Sequence, residues 1–197
     1  MIFRRRNKNI KFIKQLREVV FFAVLILSHK FSFSQNTLTE WYLNSDSLPT
    51  FQNPNLQSGF FSKGSFLNSL VYSSSGATGK PWPVGNLDST AYFQVFITPK
   101  PGFEIKINAL RFGERRSLTG PSIYEVRSSK KAQMVGSSLL SRFEMPDNDS
   151  ERTGDIQNLN IVVSNSDTLY SRWYAFEAER NAGSCRVNDK TIKLEGW

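Results

Sequence analysis

The chain has 197 residues, 25 basic and 17 acidic, giving a formal net charge of +8, with one histidine and one cysteine. A single cysteine, Cys185, excludes an intramolecular disulfide and any cysteine-rich zinc cluster. The single histidine, His29, lies in what reads as a leader, so the chain beyond it has no imidazole for a Cys-His pair or a Ser-His-Asp triad.

The leader comes first in chain order. A basic stretch, MIFRRRNKNIKFIKQLR, precedes the apolar run Val19 to Leu27, and Ser32 and Ser34 occupy the −3 and −1 positions before Gln35. That is the layout of a cleavable signal peptide over residues 1–34. The apolar run is about half of the roughly 20 residues a membrane span needs. Removing the leader's eight basic residues and one acidic residue leaves 17 against 16, a net of +1. Global charge therefore gives no basis for nucleic-acid binding. The expectation is an exported, extracellular or cell-surface domain over 35–197, without a transmembrane span and without disulfides, standing on its core.

The expected elements are strands and turns, with no helix. A first strand is expected around TEWYL. The segment Ser73 to Ser89, SSSGATGKPWPVGNLDS, reads as the longest loop. AYFQVFIT (Ala91 to Thr98) alternates, with Phe93, Val95 and Ile97 on one face and Tyr92, Gln94, Phe96 and Thr98 on the other. PKPG turns the chain, and FEIKI follows with Phe103, Ile105 and Ile107 inward. NALRF reads as another corner, placing Leu110 and Phe112 on one side. SIYEVRS, LNIVVS (Leu159 to Ser164) and SRWYAFEAER (Ser171 to Arg180) are further strands, and CRV and TIKLEG the last. Between them PDNDSERTGD (Pro146 to Asp155) reads as an exposed loop, and Cys185 as a strand residue of no special reactivity. Short strands at this spacing, rich in Phe, Tyr, Val and Ile, indicate one antiparallel β-sandwich of jelly-roll type.

The stretch RFGERRSLTGPSIYEVRSS carries the densest chemistry. Gly120 can take a positive φ and Pro121 fixes the exit from the turn. The flanking strands then either pair or cross between sheets. Arg115 and Arg116 arrive before the turn and Glu125 leaves after it, a combination suited to pinning the corner by an arginine–carboxylate pair. An anion site would want a helix N-terminus or a nest of backbone N–H groups, and no helix follows. Glu125 is the expected partner.

With these residues in view the run LDSTAYFQVFITPKPGFEIKINALRFGERRSLTGPSIYEVRSS resembles a recurrent secreted bacterial β-sandwich module. That module reads as an aromatic strand, TP-x-x-G, a strand pair ending F-x-x-R-R-S, then T-G-P and a strand ending R-S-S. The resemblance extends from Tyr72 to Gly196 and implies a jelly-roll-like fold and an extracellular setting, with no established activity. Cys185 stands where the module carries a tryptophan. Related jelly rolls use an aspartate in the closing strand for a structural calcium, but the spacing before Asp189 is altered, so no cofactor is assigned.

Three functions compete at this level. The first is a non-catalytic binding module that takes an extracellular glycan, since pyranose C–H faces stack on aromatic rings. Trp82, held between two prolines, is the expected stacking ring, with Asn86 and Asp88 beside it; the alternative for Trp82 is an anchor folded over the sandwich edge. One member of each of the pairs Trp41–Tyr42 and Trp173–Tyr174 is expected in the core. The second function is a structural or adhesive surface protein partnered by another protein. The third is a glycosidase using Glu177 and Glu179, about 6.8 Å apart on one strand face. The surface character of that pair and the small size of the sandwich weigh against catalysis.

Overall fold

The computed structural model describes residues 35–188 and 192–197. The expected signal peptide and Asp189 lie outside the described residues. Residues Gln35–Trp197 form one compact unit. Among the described residues there is no helix, and so none long and apolar enough to cross a membrane.

Among the described residues fifteen strands follow one another: β1 (Asn36–Trp41), β2 (Phe51–Gln52), β3 (Leu56–Ser58), β4 (Ser62–Lys63), β5 (Ser69–Ser73), β6 (Gly76–Lys80), β7 (Tyr92–Pro99), β8 (Ile105–Arg116), β9 (Pro121–Ser129), β10 (Ser138–Glu144), β11 (Arg152–Ile156), β12 (Ile161–Val163), β13 (Leu169–Ala178), β14 (Cys185–Val187) and β15 (Ile192–Gly196). They build two antiparallel sheets. The nine-stranded sheet runs β2-β1-β15-β8-β14-β6-β5, with β11 and β12 on the other side of β8. The six-stranded sheet runs β10-β9-β13-β7-β3, with β4 also on β7. This is the all-β sandwich that the strand pattern indicates.

Alternation decides what each sheet buries. On β7 the residues Phe93, Val95 and Ile97 are fully buried while Tyr92, Gln94 and Phe96 between them are half-buried. From the opposite sheet Ile107, Leu110 and Phe112 meet them in one core cluster. Phe112 bridges the layers, its ring edge-on to Trp173 at 5.7 Å and 6.1 Å from Tyr124. Each such buried aromatic contributes roughly 1.5–3 kcal/mol relative to exposure. Cys185 is fully buried in β14, and that burial raises its thiol pKa, leaving it protonated and shielded.

Four expectations give way here. NALRF does not turn a corner: β8 runs unbroken from Ile105 to Arg116 because it has partners along both edges. NALRF carries a bulge instead of a corner: the consecutive Glu195 and Gly196 of β15 face Ala109 and Ile107, leaving Asn108 as the extra residue on β8. Phe103 is 44% exposed, since it belongs to the turn ahead of β8 rather than to its inward face. The serine-glycine segment conceals β6, paired to β5 on one edge and β14 on the other. Gly79 is required there because a Cβ would come within 2.5 Å of Leu67 and 2.6 Å of the Phe93 ring. The polar stretch Pro146 to Asp155 likewise ends in β11, which docks on β8.

Candidate functional site

The β8–β9 turn is the first place to look. The two strands do not pair across it; β8 lies in one sheet and β9 in the other, so Ser117 to Gly120 carry the chain across the sandwich. Gly120 has no positive φ. Its lack of a side chain is needed for another reason: a Cβ would sit 2.5 Å from the carbonyl oxygen of Ser184, where the two backbones touch. Pro121 opens β9, opposite Ala178.

Arg116 is 2% exposed and ties four segments together. Its guanidinium donates to the carbonyls of Ser117 (3.2 Å), Leu118 (3.0 Å) and Met145 (3.5 Å), and pairs with Glu179 and with Asp147 at 3.5 Å. Arg115 pairs with Asp149 at 2.8 Å. Both arginines are paired with carboxylates, but the partner is not Glu125. That carboxylate points to the outer face of the six-stranded sheet, where Arg127 (2.8 Å) and Arg142 (2.5 Å) take it. The acidic residues that reach the corner come from the loop after β10 and from the end of β13.

Trp82 does not offer a stacking face. It is fully buried, edge-on to Phe93 at 5.0 Å, with its indole N–H donating to the carbonyl of Gly79 at 2.9 Å. The chain just after it is bonded to the end of β13: the carbonyls of Pro83 and Gly85 accept from Ala178 (2.8 Å) and Glu177 (3.0 Å). This turns the ring inward as an anchor. Asn86 is exposed, and the buried Trp82 ring offers it no stacking partner. Asp88 is engaged locally, accepting from the Thr90 N–H (2.7 Å) and hydroxyl (2.6 Å), which lowers its pKa. The carboxylate pair also dissolves. Glu177 has φ +55°, which breaks the strand alternation, and Glu179 lies beyond the end of β13, held by Arg116.

A different set of residues converges on the outer face of the six-stranded sheet. Cross-strand register lays them out in rows. One row reads Arg142 on β10, Glu125 on β9, Tyr174 on β13 and Tyr92 on β7. The next reads Arg127, Arg172 and Gln94, and the next Ser129, Tyr170 and Phe96. Successive rows stand about 6.8 Å apart by the strand rise.

The contacts within these rows fix each group. The Arg172 guanidinium stacks 3.8 Å from the centre of the Tyr92 ring. It donates to the Gln94 side-chain oxygen and the Ala132 carbonyl, both at 2.7 Å, and to the Tyr174 hydroxyl at 3.5 Å. Among the described residues no carboxylate lies within ion-pairing distance of it, so its charge is held by neutral acceptors. Tyr92 meets Tyr174 edge-on at 5.9 Å, Phe96 meets Tyr170 at 5.6 Å, and Arg142 lies 5.4 Å from the Phe176 ring. A third to a half of the Arg127 and Arg142 side chains is open to solvent. The face thus combines aromatic rings, guanidinium donors, an amide and a carboxylate. Of these residues Glu125 stood out in the sequence as a corner partner, and Tyr174 as one of a pair of which one member was expected in the core. The signal for the rest was the second face of β7, where Phe96 interrupts the polar positions that an ordinary outer face would show.

No protein-family model and no curated protein matches this chain. Solved structures similar to it include a family 29 carbohydrate-binding module, at 10% identity with a TM-score of 0.44, covering 82% of this chain and 88% of that one. A second form of such a module, complexed with cellulohexaose, has 9% identity, a TM-score of 0.44 and coverages of 82% and 90%. A family 4 carbohydrate-binding module has 9% identity and a TM-score of 0.43, covering 65% of this chain and 76% of that one.

Proposed function

We propose that this chain is an exported, non-catalytic module that binds an extracellular carbohydrate across the outer face of its six-stranded sheet. The observation that carries the reading is the Arg172 row system. A guanidinium 8% exposed, stacked on Tyr92 and satisfied only by neutral acceptors, keeps its charge available to oxygen acceptors laid over the sheet. Tyr92, Phe96 and Tyr170 beside it are half-buried and supply ring surface for C–H faces. Arg127, Arg142 and Gln94 supply donors and an acceptor for hydroxyls. A flat, strand-borne surface of this kind suits a polymer lying across the rows rather than a small molecule enclosed in a cavity. Affinity will be modest, because solvent competes for each hydrogen bond.

The test is a glycan array of residues 35–197, followed by titration of the best polysaccharide, with cellulohexaose among the probes. Binding that Tyr92→Ala and Arg172→Gln each reduce about tenfold or more supports the sheet face. Binding that survives both changes places the ligand elsewhere. No binding to any glycan, with both variants folded, leaves a structural or adhesive surface protein as the reading.

A further inference from the structure

We infer that the outer face of the nine-stranded sheet holds a separate oxyanion site, at Arg115 and Arg186, recognising the carboxylate or sulfate group of an acidic polysaccharide. Arg186 on β14 is the direct register partner of Arg115 on β8. Like charges placed opposite one another across antiparallel strands destabilise the pairing. Both arginines line one cavity of about 390 Å³, together with Ser117, Thr119 and Asp149. Arg116 also lines it but is spent on the corner, as described above.

The two remaining cations are unequally matched. Arg115 has Asp149 at 2.8 Å, a carboxylate on a loop with 62% of its side chain exposed. Arg186 donates to the Thr78 hydroxyl at 2.9 Å, and among the described residues no carboxylate lies within ion-pairing distance of it. A ligand oxyanion between the two would accept from both guanidiniums, which present planar forks matched to carboxylate and sulfate oxygens. Asp149 already plays that part for one of them. It is an internal competitor, and a ligand carboxylate would take its place. This site shares no residue with the sheet face proposed above; the oxyanion contact is tested independently of that face, and only the polysaccharide class of its ligand rests on that reading.

The experiment titrates the purified protein with sodium sulfate, galacturonate and galactose at constant ionic strength, following backbone amide shifts around Ser117 to Gly120 and Ser184 to Val187. Both anions, or one of them, should bind in the millimolar range, and galactose should not. Sulfate alone identifies sulfate esters as the source, galacturonate alone identifies uronic acids, and dextran sulfate and polygalacturonate should rank the same way. Arg186→Gln should weaken binding about tenfold, the usual loss for one charge-assisted fork. Asp149→Asn should strengthen it several-fold, a gain that misfolding cannot mimic. No shift with either anion, equal shifts with galactose, or an Asp149→Asn protein that binds no better than the parent would overturn the site.

Discussion

Two arginines, Arg116 and Arg172, are almost equally hidden, at 2% and 8% exposure, yet the regions they organise are opposite in kind. Around Arg116 the guanidinium meets three carbonyls and two carboxylates drawn from the turn, the loop after β10 and the end of β13. Its hydrogen-bonding capacity is consumed within the protein, and it can only hold. Around Arg172 the acceptors are an amide, a carbonyl and a phenol, with an aromatic ring beneath. The charge there is oriented without being neutralised. What an arginine does follows from which groups satisfy it, and burial alone does not distinguish the two.

A core truncation sets the scale for testing this contrast. Trp82→Ala should cost about 3–5 kcal/mol, the range for deleting a large buried aromatic, because the ring fills the space beside Phe93. Its denaturant midpoint should fall sharply while any polysaccharide binding measured below the new midpoint stays as before. A loss of binding at full folding would return the ligand to the Trp82 loop.

Arg116→Ala comes next, at about 3 kcal/mol, from charge-assisted bonds to three carbonyls and the loss of Glu179's partner. Glu179 is half exposed and can return to water, which keeps the figure below that of a fully buried pair. Equilibrium unfolding in urea measures it. A cost under about 1 kcal/mol, the value of an ordinary surface pair, would mean that the corner stands without its pin.

Arg172→Ala should separate the two readouts. Its lost stacking and hydrogen bonds cost about 1–2 kcal/mol, less than at Arg116, since Gln94 and Tyr174 lie on an outward face. Polysaccharide binding should fall about tenfold in the same protein. If the stability loss matches that of Arg116→Ala and binding is untouched, the distinction between the two arginines is wrong.

The contrast also shows what the sequence could reveal. The alternation of AYFQVFIT and of SRWYAFEAER made β7 and β13 legible, because a period of two survives in any sandwich. That one of Trp173 and Tyr174 lies in the core was legible too; which one was not, and the structure puts Trp173 inward and Tyr174 on the outer face, where it is 4% exposed under its neighbours. The RRS-x-TGP run was legible as a pinned corner. Its partners were not, since Asp147, Asp149 and Glu179 are brought there by distant segments that nothing local announces. β6 was hidden because the neighbours Leu67 and Phe93 demand glycine at position 79, and glycine reads as loop. Arg172 was invisible as a site residue because its significance lies in cross-strand neighbours 45 and 78 positions away, Arg127 and Gln94.

The smallest expected effect belongs to Asp88, which tests whether the Trp82 loop has any role beyond packing. Its carboxylate accepts two hydrogen bonds from Thr90, the side-chain one the larger influence, and these lower its pKa below the ordinary aspartate value. A carboxylate with a depressed folded-state pKa stabilises the fold above its unfolded pKa, about 3.9, and loses that contribution as pH falls through the folded value. The group is solvent-exposed, so screening limits the effect to roughly 0.3 kcal/mol or less. Thermal melts of the parent and of Asp88→Asn should therefore differ slightly at pH 7 and converge at pH 2. Polysaccharide affinity at pH 7 should be the same for both proteins. A binding loss in Asp88→Asn as large as that in Arg172→Ala would extend the ligand surface off the sheet and onto this loop, and the division between a holding region and a binding face would have to be redrawn around it.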